Sequence, residues 1–202
     1  MSLNSLQPVV CLASVSPRRR ELLTQIGVPH IIIAADIDET THPGELPRDY
    51  VTRMARQKAL TVRDRGATAL PVLAADTTVV LDDVIYGKPR DRADGIAMLQ
   101  CLAGRTHEVL TAVAVATAGE VALRLSTSAV RFRDLTLEEC RAYWETGEPR
   151  DKAGSYGVQG HAGVFIESLR GSYSGVMGLP LFETAELLRA AGIPYWRKLE
   201  QI

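Results

Sequence analysis

"PVVCLASVSPRRRELLTQIGVPHIIIAAD", residues 8 to 36, reads as strand, helix, strand, and that order decides the fold class. Residues 8 to 14 are a continuous apolar run of the kind that becomes a buried strand. Ser16 then suits an N-cap and Pro17 the first helical position, while Glu21, Leu22, Leu23 and Ile26 carry a helix to its stop at Gly27. A second apolar run, 30 to 36, follows and ends in the acidic "DIDE" of 36 to 39. Two buried strands joined through a helix open an α/β domain with a parallel pair.

Outward from this unit the alternation continues and then lapses. A helix is expected from about 47 to 65, a strand over 71 to 76, a hairpin across Asp82 and Asp83, and a helix from Asp91 to Gly104. Residues 106 to 117 and 120 to 133 read as two long strands joined at "AGE", which is a hairpin and makes the sheet mixed. Thr136 and Glu139 have the spacing of a capping box. A glycine-rich loop, a strand over 163 to 170, a helix from about 180 to 191 and a short last strand complete the expectation. No linker, repeat or low-complexity tract divides the chain, so residues 1 to 202 are read as a single domain.

Of the 202 residues 46% are hydrophobic and 23% charged, enough for a sizeable core. A formal net charge of −1 supplies no global basic field, so no long nucleic acid is expected and any anion must be held locally. The run from Val9 to Val15 is broken by Ser14 and leads into arginines, so neither a signal peptide nor a membrane span is expected, and a cytoplasmic location is. Cys11, Cys101 and Cys140 are odd in number, and the four histidines are scattered; neither a disulfide framework nor a zinc site is expected, and all three thiols are read as reduced core residues.

Three placements break local rules. Arg18, Arg19 and Arg20 occupy the first turn of a helix, where the dipole and unpaired N–H groups are positive. They are either a solvated basic turn or, with the helix start, a site for a phosphate chain. Lys58 falls in the apolar stripe formed by Val51, Met54, Ala55, Ala59 and Val62, so it either snorkels outward or enters a cleft. Asp76 closes "VLAAD" and is either a turn residue or a group at the ligand-binding end of a parallel sheet. Asp38 and Glu39 end the earlier strand, and with Asp76 they could hold a hard divalent cation through oxygen. "YGKPR" lacks a P-loop's remaining residues, and "DKAGSYGVQG" is either plain loop structure or a loop whose backbone closely approaches a ligand, with Gln159 offering donor and acceptor together.

"LASVSPRRRELL", "DIDE", "RQKA", "ADTTVVLDDVIYGKPRD", "LAGRTHEVLTAVAV", "EPRDKAGSYGVQG" and "GSYSGVMGLPLFETAELL" together resemble the Maf family of nucleoside triphosphate pyrophosphatases, from about residue 9 to 190. The resemblance implies an inosine-triphosphatase-like α/β fold, two lobes around a central cleft, and metal-dependent release of pyrophosphate from a nucleotide, with Mg²⁺ foremost and Mn²⁺ as the alternative. It implies phosphate binding by Ser14, Arg18, Arg19, Lys58 and Lys88, base recognition by Arg18, Thr77 and Gln159, and Asp76 with Glu39 at the metal. Asp76 is also the expected catalytic group, as base or as ligand. "DT" at 76 and 77 with "YGVQG" is similar to the branch acting on dTTP and UTP; the 7-methyl-GTP branch tends to carry glutamate in place of Gln159. Modified pyrimidine nucleotides fall within the expected range. A non-hydrolysing nucleotide-binding regulator of cell division is the competing reading, and a homodimer is left open. Thr78 departs from the family, which often has an aliphatic residue there.

Overall fold

The computed structural model describes residues 7–196. In chain order its elements are β1 (Val10–Leu12), α1 (Pro17–Gln25), β2 (His30–Ile32), α2 (Pro47–Asp64), β3 (Val72–Leu81), β4 (Val84–Tyr86), α3 (Arg92–Leu102), β5 (Thr106–Ala116), β6 (Val121–Phe132) and α4 (Leu137–Glu145). Three 3-10 turns follow, at Glu148–Asp151, Ala153–Ser155 and His161–Phe165, then β7 (Ile166–Arg170), α5 (Tyr173–Met177) and α6 (Leu181–Ala190). The seven strands form one mixed sheet ordered β2-β1-β3-β5-β6-β7, with β4 also on β3. β1 is parallel to both β2 and β3, and the remaining pairings are antiparallel.

Local chemistry explains most of the boundaries. Pro17 sits at the start of α1, and Gly27, with φ of 66°, ends it by donating to the Thr24 carbonyl at 2.9 Å. Asp82 and Asp83 both take positive φ, the conformation a two-residue hairpin turn between right-twisted strands requires. Asp91 caps α3 by accepting from the Asp94 amide, and the Thr136–Glu139 capping box is complete in both directions.

Apolar packing falls at two ends of the long strands. One cluster gathers Leu99, Phe132, Trp144 and Phe165 beneath α3 and α4. At the other end, one face of the sheet packs Leu12, Leu23 and Leu188 under α1 and α6, and the opposite face packs Val51, Ala55 and Val62 of α2.

The structure corrects five expectations. Asp76 does not end a strand; β3 runs on through Thr77–Leu81, because β-branched residues follow and β5 pairs with it continuously from Val72 to Val80. Residues 161 to 165 form a 3-10 turn, so the strand expected over 163 to 170 begins only at Ile166. A short helix, α5, occupies what read as a turn. No last strand follows α6 among the described residues, and residues 197 to 202 lie outside them. Cys11 and Cys140 are buried as expected, but Cys101, on the outer face of α3, is exposed.

Candidate active site

β3 has β5 along one side from Val72 to Val80, but on the other it has β1 only at Val72 and Leu73 and β4 only from Val79 onward. Residues 74 to 78 therefore face a gap in the sheet, and that gap opens into a cavity of about 570 Å³. Successive strand residues point to opposite faces, so Asp76 and Thr77 reach the cavity from the two sides of the same exposed edge.

On the Asp76 side, α2 supplies Lys58. Val51, Met54 and Val62 are fully buried. Each contributes about 1.5–3 kcal/mol, enough to fix the helix's rotation against the several kcal/mol it costs to desolvate one ammonium. Lys58 is thus carried inward and does not snorkel. Its Nζ donates to Asp76 Oδ1 at 2.7 Å and lies 2.6 Å from Glu39 Oε1. Burial pushes the Asp76 carboxyl above the usual carboxylate range even though Lys58 and Arg19 pull it down. At Glu39 burial also acts upward, but the hydrogen bond and charge of Lys58 outweigh it and the carboxyl is lowered. Glu39 is held there by its loop: Tyr50 Oη donates to the Glu39 carbonyl at 3.0 Å, and Arg53 binds both Glu45 oxygens at 2.6 Å and the Thr40 carbonyl at 3.0 Å. Asp38 does not join the acidic pair, because its Oδ1 accepts from the amide and hydroxyl of Thr40.

On the Thr77 side lies the start of α1. Arg19 donates to the Gly178 carbonyl at 2.8 Å, to Ser14 Oγ at 3.2 Å and to Thr77 Oγ1 at 3.2 Å. Arg18 also lines the cavity and reaches Asp151 Oδ2 at 3.3 Å. Arg20 does not; it is exposed outside the cleft, so Arg18 and Arg19, the two that the resemblance implies, face the site and Arg20 is the solvated member of the run. The Ser16 side chain makes no cap bond, and its amide donates instead to Ser14 Oγ at 3.2 Å.

The opposite wall brings Lys88 from the loop after β4, and Lys152, Tyr156 and Gln159 from the glycine-rich segment. That segment is moulded on Glu148, whose carboxylate accepts from Tyr143 Oη at 2.7 Å and from the amides of His161 at 2.9 Å and Ala162 at 3.3 Å. A Cβ at Gly160 would run into this carboxylate, which is the close approach that the glycine permits. The nine residues that the family resemblance implies, Ser14, Arg18, Arg19, Glu39, Lys58, Asp76, Thr77, Lys88 and Gln159, all line the one cavity, whereas Arg20 and Asp38, also singled out from the sequence, do not. Sequence reasoning passed over Tyr50, Asp151 and Lys152, which also line it, and Glu148, which shapes it. The charges in "EPRDKAG" were the available signal for Asp151 and Lys152.

Among the described residues no group of three or more His, Cys, Asp and Glu could hold a metal ion alone. Two hard carboxylates do converge on a single point, now taken by the Lys58 ammonium. A donor set this small fits Mg²⁺, which keeps several waters and shares substrate phosphate oxygens, better than a cation needing an all-protein cage. Among the described residues no helix is long and apolar enough to cross a membrane.

Comparison with known proteins bears on this cavity. The sequence model for "Maf-like protein" matches residues 9–191. A dTTP/UTP pyrophosphatase of Saccharophagus degradans is 51% identical over 191 residues, spanning 93% of this chain and 91% of its own. One from Methylobacillus flagellatus is 55% identical over 185 residues, spanning 91% and 93%. A solved structure of a nucleoside-triphosphatase / dITP/XTP pyrophosphatase from Mycobacterium abscessus matches at a TM-score of 0.45 and 17% identity, covering 92% of this chain and 98% of that one, too loosely to inform the site.

Proposed function

The chain belongs to the Maf family, and from that premise we propose that it is a nucleoside triphosphate pyrophosphatase that hydrolyses dTTP and UTP to the monophosphate and pyrophosphate. The observation that carries the proposal is the desolvated Asp76 carboxylate set between Lys58 and Arg19 in a cleft of nucleotide size. Modified pyrimidine nucleotides belong to the same proposed substrate class.

In the proposed reaction water attacks the α-phosphorus, its proton passes to Asp76, and the bond to the bridging oxygen breaks toward pyrophosphate. A carboxylate whose pKa is raised by burial is a better proton acceptor than an exposed one. Negative charge grows on the departing pyrophosphate, and Arg18, Arg19, Lys58 and Lys88 are the cations on hand to balance it. Ser14 adds a hydroxyl beside Arg19. Asp76 and Glu39 would hold a divalent cation, Mg²⁺ in our reading, which when bound neutralises phosphate charge and lowers the pKa of coordinated water. Thr77 and Gln159 are the groups we assign to the base.

Pyrophosphate release across the common triphosphates, with Mg²⁺ supplied, tests this. Turnover of dTTP and UTP with pyrophosphate as the product supports it. Tight binding of dTTP or UTP without turnover would support a non-hydrolysing regulator instead.

A further inference from the structure

The tip of the glycine-rich segment, residues 157 to 161, is tied at both ends to the carboxylate of Glu148. At one end the Gly157 amide donates to Tyr143 Oη at 3.1 Å, and the Tyr143 hydroxyl in turn donates to Glu148 Oε1 at 2.7 Å. At the other the His161 amide donates to Glu148 Oε2 at 2.9 Å, His161 Nδ1 lies 2.9 Å from the same oxygen, and the Ala162 amide donates to Oε1 at 3.3 Å. Every group aimed at this carboxylate is a donor, which suits an ionised carboxylate that can only accept. Burial acts upward on the Glu148 pKa, but the donors from Tyr143, His161 and Ala162 outweigh it and hold the group below its usual range. Between the two ties the Gly160 amide donates to the Gly157 carbonyl at 3.1 Å and closes a turn. Gln159 sits in that turn and lines the cleft.

We infer that Glu148 is a specificity-determining positioning residue: by fixing both ends of the 157 to 161 turn it fixes how far the Gln159 amide reaches into the cleft, and so selects a one-ring base. The inference rests on the proposed pyrimidine triphosphate reading, in which Gln159 meets the base. Reach decides because pattern alone does not. Uracil presents O4 beside N3–H and guanine presents O6 beside N1–H, the same acceptor and donor side by side, so a primary amide pairs with either. The guanine pair lies on the far ring of a two-ring base and stands farther from the sugar. An amide held in place separates the two bases, whereas one on a loosened turn moves to meet both.

The test compares kcat and KM for UTP and GTP in the wild type, Glu148→Gln, Tyr143→Phe and Gln159→Ala, together with inhibition by tripolyphosphate, which carries the phosphates but no base. The wild type should prefer UTP to GTP by about tenfold or more in kcat/KM, the scale of one mismatched buried polar contact. Glu148→Gln puts an NH2 group where one acceptor oxygen stood, so whichever way the amide lies one end of the turn loses its hold. The preference should fall toward one, with KM for UTP raised about tenfold and inhibition by tripolyphosphate unchanged. Tyr143→Phe releases only the Gly157 end and should move the preference the same way by less. Added to Gln159→Ala, neither change should alter the preference further, because both act through that amide; the Tyr143→Phe arm stands even if Glu148→Gln folds poorly. Equal use of UTP and GTP by the wild type overturns the inference, as does a preference that survives both Glu148→Gln and Tyr143→Phe. A common fall on both nucleotides with weakened tripolyphosphate inhibition also overturns it, and would mean that Glu148 only supports the fold. Calorimetric titration with UMP and GMP asks the same question without turnover. A wild type that binds UMP over GMP, loses that preference in Glu148→Gln and yet hydrolyses nothing refutes the pyrophosphatase reading while supporting the role of Glu148.

Discussion

Lys58 and Asp76 form an ion pair of 2.7 Å in which each side chain is only 10% exposed, and Glu39 approaches the same ammonium from the cleft mouth. Removing either partner has opposite consequences. Lys58→Met takes the compensating charge from a carboxylate that burial already disfavours, so it should destabilise the protein by about 3 kcal/mol at pH 8. Asp76 escapes that cost by taking up a proton. The difference in melting temperature from wild type should therefore shrink as pH falls toward 4.5, with pyrophosphate release down roughly a hundredfold or more throughout. A difference independent of pH would mean that the lysine only fills space.

Asp76→Asn should abolish turnover without lowering stability. The folded-state pKa of Asp76 is raised, so its contribution is fully present below the unfolded value of about 3.9 and is lost as pH rises through the folded one. The ionised carboxylate is then a burden near pH 7 to 8, and the neutral amide removes it while Lys58 keeps Glu39. Melting curves should show the variant equal to or above wild type at pH 8 and converging with it near pH 4. A variant that melts well below wild type at pH 8 would show that the Asp76 charge stabilises the fold.

Features encoded within a few residues were legible before the structure: the Pro17 start and Gly27 stop of α1, the Asp82–Asp83 turn, the capping box, and Lys58 on an otherwise apolar helix stripe. What could not be read depended on groups distant in the chain. An aspartate in a β-branched run reads as a strand end, because only Lys58, 18 residues earlier, and Arg19 make its burial tolerable. α5 spans five residues, too few for a helical period to declare itself. Glu148 is tied to His161 and Ala162 by backbone amides, which leave no mark on residue type.

Thr78, on the α2 face of β3, is 2% exposed, and its hydroxyl has no hydrogen-bond partner among the described residues. A buried hydroxyl left unpaired costs about 1–3 kcal/mol, and valine has nearly the same shape. Thr78→Val should therefore stabilise the protein by about 1 kcal/mol, raising the melting temperature by about 2–4 °C for a chain of this size. Scanning calorimetry of the two proteins decides it. A lower melting temperature would show that the hydroxyl has a partner, such as water, that valine cannot replace.

His107 is the titrating group that should govern acid stability between pH 6.5 and 4. It is 2% exposed among Phe132 and Tyr156, its Nε2 lies 2.8 Å from Tyr156 Oη, and its Nδ1 has no partner among the described residues. Burial drives its pKa down to about 4. A depressed folded pKa contributes stability that is present above the unfolded value of about 6.5 and is lost as pH falls through the folded one. The gap of about 2.5 units corresponds to at most about 3.5 kcal/mol, since one unit is worth about 1.4 kcal/mol. Urea unfolding of wild type at half-unit pH steps should show stability falling across this window. In His107→Gln, which cannot titrate there, stability at pH 7.5 should be lower because the aromatic contacts are disturbed, but its decline toward pH 4 should be shallower by that amount. Parallel curves for the two proteins would mean that His107 already opens to water in the folded state and that other groups set the acid limb.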